Sequence, residues 1–105
     1  MGALPLFIVG FVFALAAFIT LQFPPKNINS IYGYRTSRSM KNQENWDLAQ
    51  RFSSQLMLKQ GLIMLVLAFI LAILPITTEV ATLISLLLLL TSVINLFVQT
   101  EKRLK

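Results

Sequence analysis

Residues 60–98 read QGLIMLVLAFILAILPITTEVATLISLLLLLTSVINLFV, and this stretch decides the fold. It holds two uncharged runs, 60–76 and 80–98, parted only by Thr77, Thr78 and Glu79. Pro75 closes the first run, because it brings no N–H for a helical hydrogen bond. The first run is marginal alone, but Leu56, Met57 and Leu58 extend it, with Lys59 free to snorkel toward the interface. The second is centred on five consecutive leucines, Leu86 to Leu90. Each is long enough to cross a hydrocarbon core of about 30 Å at about 1.5 Å per residue. So short a link makes them an antiparallel hairpin. Thr77 or Thr78 caps the second helix, and Glu79 sits favourably at its N-terminal dipole.

Working outward, a further uncharged run covers 3–23 and ends at Pro24 and Pro25, with Pro5 near its start where a missing N–H costs little. Ala14-Leu15-Ala16 has the small-residue pattern of a cleavage site, but no Lys or Arg precedes the run and apolar residues continue beyond it. It therefore reads as a retained span and not as a signal peptide. The expected architecture is all-α: an integral membrane protein with three transmembrane helices at about 3–23, 58–76 and 80–98. A loop and an amphipathic interfacial helix fill 24–57, all within one domain, 1–105.

Composition agrees. Of 105 residues, 56% are hydrophobic and only 12% charged, about half the charged fraction of an ordinary soluble domain. A disordered tail needs the opposite balance. With no cysteine and no histidine, disulfides, thiol catalysis and the commonest zinc ligands are removed together. Only Glu44, Asp47, Glu79 and Glu101 remain for acid–base or metal work, and no nucleophile–base pair is visible. No enzyme activity, catalytic residue, cofactor or metal is expected.

The net charge of +5 reads as a topology signal and not as a nucleic-acid footprint. Lys26, Arg35, Arg38, Lys41, Arg51 and Lys59 lie between the first two spans, and Lys102, Arg103 and Lys105 lie in the tail. Three spans put both segments on one side, and basic segments stay in the cytoplasm. The chain is thus expected in a bacterial cytoplasmic membrane, multi-pass, with its N-terminus outside and its C-terminus cytoplasmic.

Residues 24–55 carry the remaining chemistry. The first half is rich in turn formers, and Gly33 between Tyr32 and Tyr34 predicts a bend that a β-carbon would hinder. From about Asn42, an N-cap, the pattern turns helical: Trp46, Ala49, Phe52 and Leu56 share a face, and Asp47 and Arg51 stand i,i+4. This helix is expected to start at the membrane surface and lead into the second span, either continuously or with a kink at Gly61. Arg35, Arg38 and Lys41 read equally as plain topology charges, and Tyr32, Tyr34 and Trp46 as an aromatic belt. Gln22 and Asn95 read as interfacial hydrogen-bonding groups. The Gly10/Ala14 pair admits a dimer contact, but packing within the three spans is favoured.

The order of the loop residues resembles the SdpI family, bacterial membrane proteins that give immunity to a secreted toxin peptide. The resemblance rests on Pro24, Pro25 and Lys26, then Gly33-Tyr34-Arg35-Thr36, then Ser39-Met40-Lys41-Asn42, then Trp46 and Ala49. Ser37 stands where the family usually has Pro, and the chain looks like a minimal three-span form. The resemblance implies a protein that protects against or senses a membrane-active antimicrobial peptide by non-catalytic binding. The motif residues expected to matter are Tyr32, Gly33, Tyr34, Arg35, Thr36, Arg38, Ser39, Met40, Lys41, Asn42 and Trp46. Arg35 is expected to bind helix-terminal carbonyls, a carboxylate or a lipid phosphate, Asn42 to cap the next helix, and Trp46 to pack that helix on the bundle. Implied partners are membrane lipids, a toxin peptide, a cytoplasmic regulator and further copies of the chain. The alternatives are an accessory or assembly subunit and a small transporter; a proton-coupled exporter is disfavoured because no span has a charge at its centre.

Overall fold

A computed structural model describes residues 2–105 and consists of three helices, α1 (Leu4–Gln22), α2 (Gln43–Ile73) and α3 (Thr78–Arg103). All three are long and apolar enough to cross a membrane, and no strand occurs among the described residues. The molecule is a multi-pass membrane protein. Its longest dimension is 49 Å, against a hydrocarbon core of about 30 Å, so one end of the bundle extends well beyond the core.

α1 follows the expected span, with Pro5 in its first turn. α2 differs from expectation. The amphipathic stretch is no separate helix: it forms the first turns of one 31-residue helix, about 46 Å long. Of the two alternatives, the continuous one is realised. No Pro interrupts 43–73, and a break inside the bilayer would leave backbone groups unpaired. Gly61 does not kink the chain because it serves packing instead. A β-carbon there would lie 2.6 Å from the Ala14 nitrogen and 2.8 Å from the Gly10 oxygen, so α1 and α2 cross in near backbone contact. The Gly10/Ala14 pair is thus used inside the chain.

α2 stops at Ile73, slightly before the expected end, because Leu74 precedes Pro75 and is held extended (φ −75°, ψ 141°). Thr77 caps α3 by accepting from the Val80 N–H at 3.2 Å, and Lys102 and Arg103 occupy the last turn, where cations suit the dipole. α3 continues to Arg103, beyond the apolar run that ends at 98, since helix propensity does not end where hydropathy does.

Near the α2–α3 turn all three helices meet. Gly2 approaches Ala81 and Thr78 so closely that a β-carbon would lie 2.5 and 2.6 Å from them, and the Ser85 hydroxyl, held by Ala81 O (2.9 Å), also lies 3.1 Å from Gly2 O. Ala3, Leu6, Met64, Ala68 and Leu71 form the buried core there. Large side chains such as Phe11, Phe18, Val66, Phe69, Leu83 and Leu90 face outward, as lipid contact requires. Among the described residues, the buried side-chain atoms Gln60 Oε1 and Thr100 Oγ1 have no hydrogen-bond partner.

Candidate functional site

The chain between α1 and α2 is a folded structure, built from short-range bonds first. Asn29 organises its start: its Oδ1 accepts from the N–H groups of Ile31 (2.9 Å) and Tyr32 (2.7 Å), an Asx-type turn. This swings the Tyr32 ring back to the end of α1, where its hydroxyl donates to Phe23 O at 2.7 Å. Gly33 follows with φ +104°, and a β-carbon there would meet Gln50 Oε1 at 2.5 Å and Pro25 Cγ at 2.8 Å. The expected bend is real and requires glycine for both reasons.

Tyr34 is held at three points. Its N–H donates to Gln50 Oε1 and its carbonyl accepts from Gln50 Nε2, both at 2.7 Å, so the amide of Gln50 pairs with this residue as a neighbouring strand would. Its hydroxyl donates to Glu101 Oε1 at 2.9 Å, and its ring packs on Phe97 with centroids 5.4 Å apart. One residue thereby ties the loop to α2 and to α3. Burial pushes the Tyr34 hydroxyl well above its ordinary pKa, and the adjacent Glu101 carboxylate adds to the shift, so the group stays a donor.

Thr36 and Ser39 close a reciprocal turn: Thr36 N–H donates to Ser39 Oγ (2.8 Å) and Ser39 N–H to Thr36 Oγ1 (3.1 Å). The Met40 N–H donates to Thr36 O at 3.0 Å, and the Met40 side chain stays exposed. Asn42 caps α2, its Oδ1 accepting from Asn45 N–H at 2.8 Å. Asn45 Nδ2 donates back to Arg38 O at 3.0 Å. Trp46 is fully buried, and its Nε1 donates to Pro25 O at 2.6 Å.

The tail joins in. Arg38 Nε lies 3.9 Å from Glu101, Lys41 Nζ reaches the Lys105 carbonyl oxygen at 3.5 Å, and Leu104 is buried. The Arg103 guanidinium stacks 4.4 Å above the Phe52 ring, a cation–π contact between α3 and α2.

Several expectations are corrected. Arg35 does not reach a helix end; its Nη1 donates to Ser30 O within the loop. Tyr32 takes the α1 carbonyl instead, because the Asx turn aims it there. Trp46 belongs to no aromatic belt, since burial against the Pro25 carbonyl removes it from the lipid interface. Asp47 accepts from Gln43 Nε2 at 2.7 Å and forms no ion pair with Arg51: among the described residues the ion pairs are Arg38–Glu101 and Lys105–Glu44. Gln22 is exposed at the end of α1, and Asn95 is half-buried in α3. Sequence reasoning missed Gln50. The available signal was a polar stripe, Gln50, Ser53, Ser54 and Gln60, spaced three, four and seven apart along one side of the helix, the pattern by which polar side chains join helices in lipid.

Beneath the 32–35 turn lies a cavity of about 610 Å³, walled by α1, α2 and α3. Phe13 and Thr20 mark its extent on α1, Gln50 and Met57 on α2, and Val93 and Phe97 on α3, while Tyr32 to Arg35 form its roof.

A family model matches residues 26–98, from the exit of α1 through most of α3. The chain belongs to the SdpI/YfhL protein family. It is 38% identical over 96 residues to the uncharacterized protein YfhL of Bacillus subtilis (strain 168), an alignment covering 91% of this chain and 82% of that one. No solved structure matches. The matched region contains Tyr32 to Asn42, Trp46 and Gln50 of this SdpI/YfhL member, whereas their partners Phe23, Pro25 and Glu101 lie just outside it.

Proposed function

We propose that this protein lies in a bacterial cytoplasmic membrane and protects against, or senses, a membrane-active peptide by binding it without catalysis. Its N-terminus is outside, and its loop and C-terminus are cytoplasmic. Family membership supports the immunity role, through the resemblance of the loop to that of the toxin-immunity proteins. Charge supports the orientation: the loop and the tail, with nearly all the Lys and Arg residues, come together at one end, while Glu79 alone marks the turn between α2 and α3.

The observation that carries the reading is the bracing of the three helices by Tyr34, Gln50, Trp46 and Glu101 at that end. Bracing fixes the relative positions of the helices, so their outward apolar side chains, among them Phe11, Phe18, Leu83 and Leu90, form a defined surface. An apolar peptide packs on such a surface inside the bilayer by helix-to-helix contact. The test is expression in a toxin-sensitive bacterium, with survival measured against membrane-expressed protein; unchanged survival at good expression removes the reading. Because the chain has no cysteine, single Asn27→Cys and Thr78→Cys variants report orientation by accessibility to an impermeant thiol reagent. Labelling of Asn27→Cys from outside intact cells would reverse the topology.

A further inference from the structure

The cavity under the 32–35 turn reaches along α1 from Thr20 to Phe13, about 10 Å at about 1.5 Å per residue. Its volume, about 610 Å³, falls within the range of about 300–1,000 Å³ found for small-molecule sites. Its walls look partly polar in sequence, but the hydroxyls there are already used. Thr20 donates to Ala17 O at 3.0 Å, Ser54 Oγ lies 2.6 Å from Thr20 Oγ1, and Ser53 donates to Gln50 O at 3.4 Å. Below its mouth the cavity therefore offers a ligand chiefly apolar contact.

The mouth is different. Arg35 lines it and is exposed to solvent. Its Nη1 is held by Ser30 O, which orients the guanidinium and leaves most of its five donors for an anion. Among the loop cations, Arg38 is paired with Glu101, whereas no carboxylate among the described residues lies within ion-pair distance of Arg35. An oriented, uncompensated cation thus stands at the entrance of an apolar slot at the level where α1 leaves the bilayer.

We propose that this cavity binds one acyl chain of an anionic phospholipid, with the lipid phosphate held by Arg35. The match is chemical: a chain for the apolar walls, a phosphate for the planar donor fork. The source is the surrounding membrane, whose lipid concentration is high enough for modest intrinsic affinity to fill the site. The bound chain fills the space between α1, α2 and α3 and makes the lipid part of the braced loop end. This role is independent of the immunity reading and holds whether or not a toxin is recognised.

The experiment uses the full chain in nanodiscs of phosphatidylglycerol and phosphatidylcholine at equal amounts, with lipid retention measured by native mass spectrometry after detergent extraction. The wild-type protein is expected to retain one phospholipid, with phosphatidylglycerol preferred about fivefold, the size expected for one interfacial cation. Arg35→Gln is expected to keep a lipid but lose that preference. Ala16→Phe, which fills the cavity, is expected to lose retention of both lipids. Val93→Phe provides a second filling variant if the first does not give a helical, monodisperse protein. A phospholipid with a photoactivatable chain is expected to label Met57 and Phe97 above outward-facing Phe11 and Val66. Equal retention of the two lipids by wild type, retention untouched by both filling variants, or labelling no stronger in the cavity than outside would each overturn the proposal. So would recovery of a bound peptide in place of lipid.

Discussion

Gln50→Leu tests whether a side-chain amide organises the loop. The substitution keeps bulk and helix propensity but removes both Gln50 bonds to the Tyr34 backbone, 2.7 Å each, leaving the N–H unpaired and the carbonyl with only the Ser39 hydroxyl at 3.2 Å. A hydrogen bond contributes about 1 kcal/mol net, and a buried group left unpaired costs about 1–3 kcal/mol. Tyr34 is only half-buried, so water compensates in part, and the expected cost is about 2–3 kcal/mol. Because the Glu101 and Phe97 contacts of Tyr34 depend on the same placement, the opening should reach α3. Hydrogen exchange in detergent is expected to quicken at Tyr34 to Met40 and at Lys102 to Lys105, and far less at the core around Met64. Gln50→Glu adds a signed control. At neutral pH its carboxylate faces the Tyr34 carbonyl and cannot donate; once protonated, it can pair as glutamine does. Folding in the paired form therefore raises the carboxyl pKa above its unfolded value of about 4.3. The pairing is fully present below that pH and is lost as pH rises through the folded value. Acid should thus restore protection in Gln50→Glu and not in Gln50→Leu. If exchange at Tyr34 is unchanged in Gln50→Leu, or if both variants behave alike at every pH, the amide is not the organiser and the reasoning fails.

Gly33→Ala is expected to cost about 1–3 kcal/mol, since the positive φ is strained for alanine and the new β-carbon meets Gln50 and Pro25; faster proteolysis at Arg35 and Arg38, with the spans intact, would show it. Gln60→Leu removes a buried amide whose Oε1 has no partner, so melting in detergent should move upward, with a gain of about 1 kcal/mol. For Tyr34 the sign follows from its raised pKa: the native state holds the phenolic proton more tightly, so its contribution is complete below the unfolded value of about 10 and falls away as pH rises beyond it. Melting of the wild type should therefore decline above that pH more steeply than melting of Tyr34→Phe, and parallel curves would refute the assignment.

The loop shows where sequence reading stops. That Asn42 caps α2 and that Gly33 bends the chain were both legible, because each depends on the residue's own conformational preferences. That Arg35 would serve the loop and Tyr32 the helix end was not. Both side chains can reach a carbonyl; the Asn29 turn carries Tyr32 back to Phe23 O, while Arg35, beyond the Gly33 bend, meets Ser30 O. Trp46 carried two compatible readings, belt and anchor, and its bond to the Pro25 carbonyl selects the second. Gln50 passed unnoticed because the polar stripe it shares with Ser53, Ser54 and Gln60 does not say which backbone it will meet until Tyr34 is brought opposite it.

Hydropathy and charge accumulate along the chain, so the sequence alone determined three spans, a short turn between the last two, and the gathering of cations in the loop and tail. Burial in lipid rewards any helix of sufficient apolar length, whatever its neighbours are. Tertiary structure decided the rest: the unbroken α2, the Gly10–Gly61 crossing, the ties from the loop to Phe23, Gln50 and Glu101, and the cavity left beneath them. These depend on groups far apart in sequence meeting at distances of a few ångströms, and no local preference encodes which pairs will meet.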